Sequence, residues 1–209
     1  MCNCNDIIDL SSLDCATGSQ LPSPVLLNFY RDLKERVLWI DFEVTDGLIE
    51  FEKYIMDWNK EDKEVEVELR KPIRIFIYSY GGDVDAMMSF IDMIKLSKTP
   101  VHTYNMGQAL SAGAILFIAG HKRYAMPNSQ LLLHAGGLSG VGGGTNSVID
   151  MVDNIKEIQK TIENFIIDNT KIDKKTYTKF FKKEWYINSK DGLKYGMIDA
   201  IIDDINMLI

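Results

Sequence analysis

Apolar positions along this chain recur with two periods, and the switches between them mark out alternating strands and helices. Arg36–Phe42 (RVLWIDF) reads as a first strand. Asp46–Trp58 carries Leu48, Phe51 and Ile55 at helical spacing. Ile73–Ser79 (IRIFIYS) passes from alternating to fully apolar, as a central strand does, and ends at a Tyr80-Gly81-Gly82 turn. Val84–Leu96 predicts a helix with Met87, Met88 and Met93 on one face, and Val101–Asn105 predicts the next strand. Ala112–Ala119 is a short helix of small and apolar residues, followed by short strands at Arg123–Ala125 and Gln130–Leu133. Ser147–Asn169 is a long helix with apolar residues at 148, 149, 152, 155, 158, 162, 165 and 166. Thr176–Phe181, Ser189–Tyr195 and Met197–Ile202 close the chain as helix, helix and strand. This alternation predicts an α/β layered domain with a largely parallel sheet.

Two stretches stand outside that pattern. Residues 1–24 are polar and turn-rich, end in Pro22-Ser23-Pro24, and read as a flexible N-terminal arm before a domain at 25–209. Asn59–Lys71 is mostly charged and reads as a solvated loop or hairpin.

Composition narrows the function. A hydrophobic share of 46% and a charged share of 25% are those of an ordinary globular protein. Net charge of −7 disfavours nucleic acid as a partner. The longest apolar run, near Ala112–Ala119, is too short to span a bilayer, and MCNCNDIIDLSS has neither the basic nor the apolar part of a secretory signal. Cys2, Cys4 and Cys15 all fall in the first fifteen residues, with no histidine nearby, so they read as free thiols in a reducing cytoplasm and not as a metal site.

The candidate chemistry begins at Ser111. It stands just before Ala112–Ala119, so helix formation there aims free backbone N–H groups and the positive end of the helix dipole at whatever the hydroxyl attacks. An ordinary serine N-cap on a buried helix has the same sequence signature. A serine nucleophile needs a base, and the chain offers His102, His121 and His134. His102 lies within a strand and His121 in a basic turn. His134 ends an apolar strand and opens Gly136–Gly144, six glycines in nine residues. Gly81-Gly82 also ends a strand, where glycine lets backbone approach a ligand and exposes N–H groups. Three such pieces on successive βα units fit one active-site edge.

At this point the chain resembles the Clp protease proteolytic subunit family (ClpP). Ile77-Tyr-Ser-Tyr-Gly-Gly82, Met106-Gly-Gln-Ala-Leu-Ser-Ala-Gly113, Pro127-Asn-Ser129, Leu133-His134 and Tyr195-Gly-Met-Ile-Asp199 carry the resemblance, in order, from about Tyr30 to Asp204. It implies the ClpP/crotonase-like fold of repeated ββα units with a protruding long helix. It implies Ser111 as nucleophile, His134 as general base and then acid, and an oxyanion hole from the N–H groups of Gly82 and Ala112. Counting back from Tyr195-Gly196, it puts Glu184 where the family has its catalytic aspartate, in a segment whose aromatics could bury it against His134; Asp173 and Asp191 are alternatives. It further implies no cofactor or metal, heptameric rings stacked in pairs as a tetradecamer, an AAA+ Clp unfoldase as partner, and unfolded polypeptides as substrate. The chain has no phosphate-binding motif of its own, so ATP use would belong to that partner. The glycine run departs from the family pattern and predicts looser substrate alignment or ring stacking. A specialised processing protease of phage type, a silent structural subunit and a crotonase-fold acyl-CoA enzyme are the competing readings; the serine–histidine pair speaks against the last two.

Overall fold

The computed structural model describes residues 23–137 and 142–208. The expected arm at 1–24, save its last two residues, lies outside the described residues, as do the three cysteines and Leu138–Val141 of the glycine run. The chain divides after Glu35. Before that point stands helix α1 (Pro24–Lys34), which the apolar pattern does not predict. Its signal lies at its start: Pro24 in the first turn, and Ser23 Oγ accepting from the Leu26 amide at 3.2 Å.

From Arg36 onward the chain builds a mixed sheet. Strands β1 (Val37–Ile40), β2 (Ile73–Ser79), β3 (Val101–Leu110), β4 (Lys122–Ala125) and β7 (Ala200–Ile201) lie in the order β1-β2-β3-β4-β7, all parallel. Helices α2 (Leu48–Glu61), α3 (Val84–Leu96) and α4 (Ala112–Ala119) connect them, as parallel neighbours require. The predicted limits of β2, α3 and α4 agree with the structure. Direct register partners Trp39, Phe76, Tyr104 and Tyr124 stack across four strands, with ring centroids 4.6, 4.7 and 4.9 Å apart. Ile202, Met207 and Leu208 pack against this row. Every residue of α4 is buried, as expected of a helix that is apolar all round.

β3 is twice as long as the predicted Val101–Asn105, and it serves two neighbours. His102–Asn105 pair with β4, whereas Gln108–Leu110 pair with β5 (Gln130–Leu133). Buried Asn105 sits at this fork. Its Nδ2 donates to Gln130 O at 2.9 Å and its Oδ1 accepts from the Gly107 amide at 3.1 Å. β5 also pairs antiparallel with β6 (Trp185–Asn188), a strand the pattern does not predict because two exposed positions interrupt it. The long helix α5 (Thr145–Asn169), α6 (Lys174–Phe180) and α7 (Ser189–Lys194) complete the fold. The expected last strand, Met197–Ile202, is paired only at Ala200–Ile201.

The charged insert is not simply solvated. α2 continues through Glu61, and Val67–Leu69 form a 3₁₀ turn. Between them Asp62 is buried. It accepts from Arg36 Nη1 at 2.6 Å and Nη2 at 2.9 Å, and from Thr99 Oγ1 at 2.8 Å. The guanidinium holds the Asp62 carboxyl below its ordinary value, so its stabilising effect is present at neutral pH and fades as pH falls through that lowered value. Removing one partner of a buried pair leaves the other charge uncompensated. Asp62→Asn is expected to cost about 3 kcal/mol at neutral pH, measured by urea denaturation. The gap to wild type should narrow in acid below the usual carboxylate range.

Candidate active site

Ser111 follows β3 and opens α4, and its backbone is unusual. With φ 54° and ψ −123° it occupies a region that side chains rarely adopt, at a cost of about 1–3 kcal/mol. Its amide donates to Leu132 O at 2.9 Å, and its carbonyl accepts from the amides of Ala114 and Ile115. The side chain makes no capping bond to the helix it precedes. Instead, Ser111 Oγ lies 2.7 Å from His134 Nε2. The geometry therefore separates Ser111 from an ordinary N-cap serine.

Strand register brings the third group into line. Leu110 pairs with Leu132, and Leu133 pairs with Trp185. Ser111 is one residue past the first pair, while His134 and Glu184 are one residue past the second on facing strands. Side chains directly opposed in an antiparallel pair have Cβ atoms about 5 Å apart. Glu184 Oε1 lies 3.3 Å from His134 Nδ1. A carboxylate facing Nδ1 favours the tautomer that keeps the proton there, leaving the Nε2 lone pair toward Ser111. The expected burial of Glu184 is not found. The aromatics of its segment turn to one another, Phe180 stacking on Trp185 at 4.5 Å, and the Glu184 side chain is 58% exposed against 25% for His134.

The Gly81-Gly82 turn is drawn close to Ser111. A Cβ on Gly81 would stand 2.7 Å from both Leu110 O and Ser111 Cβ, and φ is +103° at Gly81 and +147° at Gly82. Buried Ser79, which sequence reasoning did not single out, fastens this turn: its hydroxyl donates to Phe42 O at 2.6 Å and accepts from the Gly81 amide at 3.2 Å. Val44 bridges the turn by donating to Gly81 O and accepting from Asp83 N. Because ladder groups alternate sides, the Gly82 N–H points away from Val44. Gly82 and Ala112 line the same cleft as Ser111 and His134, a space of about 720 Å³. Its apolar wall comes from Met87, Ile115, Ile162, Ile166 and Phe181. The apolar positions of α5 were legible as a stripe; that they face this cleft was not.

The remaining candidates have other partners. His121 Nδ1 accepts from the Val101 amide at 2.9 Å. His102 lies against Tyr124, and burial lowers its pKa to about 4. Asp173 caps α6 through the Thr176 amide, and Asp191 accepts from Asn188 Nδ2. Among the described residues, no group of three or more His, Cys, Asp or Glu side chains is placed to hold a metal ion. Of the glycines after His134, Gly136 and Gly137 line the cleft, and a Cβ on either would meet open space.

A Clp protease family model matches residues 59–204, more than half of the 209-residue chain. The chain is 36% identical over 133 residues to an ATP-dependent Clp protease proteolytic subunit 2 of Treponema denticola, a match covering 63% of this chain and 66% of that protein, just under two thirds. It is 26% identical over 180 residues to an ATP-dependent Clp protease proteolytic subunit of Deinococcus radiodurans, covering 84% of each.

Gly81→Ala tests the close approach, since the added methyl meets Leu110 O, Ser111 Cβ and Ala112 N. The added methyl is expected to displace Ser111 and slow its labelling by a fluorophosphonate by about 10²-fold, read by intact mass, with the far-ultraviolet dichroism of a folded protein retained.

Proposed function

The chain belongs to the Clp protease family, and on that premise we propose that it is a serine endopeptidase, the proteolytic subunit of a self-compartmentalised, ATP-dependent assembly. Membership of the family implies a peptidase, and the mixed α/β fold with its mostly parallel sheet is the family's fold. The observation that carries the serine mechanism is the 2.7 Å contact between Ser111 Oγ and His134 Nε2, on a serine whose backbone is held out of the ordinary regions.

In this reading Ser111 Oγ attacks the scissile carbonyl carbon while His134 Nε2 takes its proton. The Gly82 and Ala112 amides receive the developing oxyanion, where fixed donors act most strongly. The C–N bond then breaks, and His134 returns the proton to the leaving amine. Water, deprotonated by His134, then attacks the acyl carbon, and as the bond to Ser111 Oγ breaks His134 returns the proton to that oxygen. Glu184 is a positioning residue that orients the imidazole through Nδ1. No step draws on a metal or cofactor.

The larger assembly rests on the resemblance and on the relatives' names. The relatives are named ATP-dependent Clp protease proteolytic subunits, which supports a multi-subunit protease coupled to ATP use; heptameric rings stacked in pairs around the Ser111 sites and a Clp-type AAA+ unfoldase that feeds in polypeptides follow from the resemblance. The expected setting is the cytoplasm; among the described residues no helix is long and apolar enough to cross a membrane.

Ser111→Ala should abolish cleavage of a fluorogenic peptide and leave the particle's size on native sizing unchanged, and His134→Ala should do nearly the same. Persistent hydrolysis in Ser111→Ala would remove the proposed nucleophile. Glu184→Gln is expected to lower kcat by about 10²-fold, less than the ~10⁴ of a buried triad acid, because water partly substitutes at an exposed carboxylate. A wild-type rate in that variant would take Glu184 out of the site.

A further inference from the structure

The Gly81-Gly82 turn brings two backbone N–H groups near Ser111, and only one is free to serve an oxyanion. The Gly81 N–H is taken, since it donates to Ser79 Oγ at 3.2 Å. The Gly81 carbonyl is taken as well, accepting from the Val44 amide at 2.7 Å. The Gly82 N–H lies on the far side of that trans peptide and has no hydrogen-bond partner among the described residues. Two consecutive peptide planes therefore decide where this amide points. Ser79 holds the first, Tyr80–Gly81, and Val44 holds the second, Gly81–Gly82.

Ser79 is the side-chain member of this arrangement. It is 1% exposed and donates its own proton to Phe42 O at 2.6 Å, so it is closed to substrate. The relay from Gly81 N–H through the Ser79 hydroxyl to Phe42 O ties the turn to the segment that carries Val44, the other anchor. Donating its proton polarises the hydroxyl oxygen and strengthens the bond that it accepts. The same residue bears on the second donor. A Cβ on Gly113 would stand 3.3 Å from both Ser79 Cβ and Ser79 O, so the first turn of α4, which presents the Ala112 N–H, rests on Ser79. The two halves of the assigned oxyanion hole meet at this one buried serine.

We propose that Ser79 is a positioning residue for the oxyanion: its hydroxyl fixes the Tyr80–Gly81 peptide so that the Gly82 N–H converges with the Ala112 N–H on the oxygen that becomes negative. A misaimed donor weakens the hold on the charged transition state. It leaves the hold on the ground-state carbonyl, which carries far less charge, nearly unchanged. The role of Ser79 is therefore read in kcat and not in KM.

This inference rests on the serine peptidase reading, and its test keeps the two apart. Ser79→Ala removes the hydroxyl, while Ser79→Cys gives up the strong hydrogen bonds and keeps the space filled. In both variants kcat for a fluorogenic peptide should fall by about 10²-fold, with KM within about threefold of wild type. A peptide boronate reads the hole directly. Its boron accepts a lone pair from Ser111 Oγ as the hydroxyl proton passes to His134, and one boron-bound oxygen of the tetrahedral anion occupies the hole. Boronate affinity should fall in step with kcat, by about 10²-fold, while the matched peptide without boron, assayed as a competitive inhibitor, keeps its affinity. Wild-type kcat in Ser79→Ala overturns the proposal. So does near-wild-type kcat in Ser79→Cys, which would assign the effect to filled space, and this variant decides the matter if Ser79→Ala fails to fold. Equal weakening of boronate and matched peptide also overturns it, because that is a general loosening of the cleft. A wild-type protein that neither cleaves peptide nor binds boronate on Ser111 overturns the peptidase reading and this inference with it.

Discussion

The hydrogen bond from the Ser111 amide to Leu132 O is the constraint on which the site depends. It is the last rung of the β3–β5 ladder, and it decides how far past that ladder the hydroxyl stands. The antiparallel pairing of β5 with β6 then sets His134 across from Glu184. One parallel and one antiparallel register thus align three side chains spread over more than seventy residues of sequence, from Ser111 to Glu184. A one-residue slip in either ladder would turn the affected side chains to the opposite face. The register is guarded by burial: Leu131, Leu132 and Leu133 are all buried, as are Trp185 and Ile187 opposite them.

Strain at Ser111 is tolerated because what surrounds it is overdetermined. α4 is buried throughout, and Thr103 Oγ1 satisfies its Phe117 carbonyl at 2.7 Å. On the other side the Gly81-Gly82 turn is tied down by Ser79 and bridged by Val44. The unfavourable backbone of one residue is thus set against the close packing of two elements, and neither can relax without moving the other. Glycine is required at Gly81 by both its φ and the approach of Ser111.

Local signals were legible in the sequence and long-range ones were not. β2, α3 and α4 each carry their own period and punctuation, so their limits could be read directly. Ser111 and His134 could be picked out because one precedes a helix and the other ends a strand. β6 escaped notice because Trp185 and Ile187 alternate with exposed Tyr186 and Asn188 over only four residues. The second half of β3 was hidden by Gly107 and Gln108, which look like loop residues. The burial of Asp62 depends on Arg36, twenty-six residues earlier, and nothing in its charged surroundings announces a partner. Glu184 was found by position in a family pattern. Its exposure follows from aromatic pairing that spacing does not reveal.

The fork in β3 divides the sheet into a broad trunk and a narrow arm. The trunk of β1, β2, β3 and β4 is broad and cross-braced. The β5–β6 pair leaves it as a narrow arm, paired with the second half of β3 along Gln130–Leu132 and fastened at its root by Asn105 on Gln130 and by Ser189, whose hydroxyl reaches Met126 O and Ser129 O. His134 and Glu184 ride at the tip. Because that pairing with β3 runs to Leu132, whose carbonyl holds the Ser111 amide, a shift of the arm carries Ser111 along with His134.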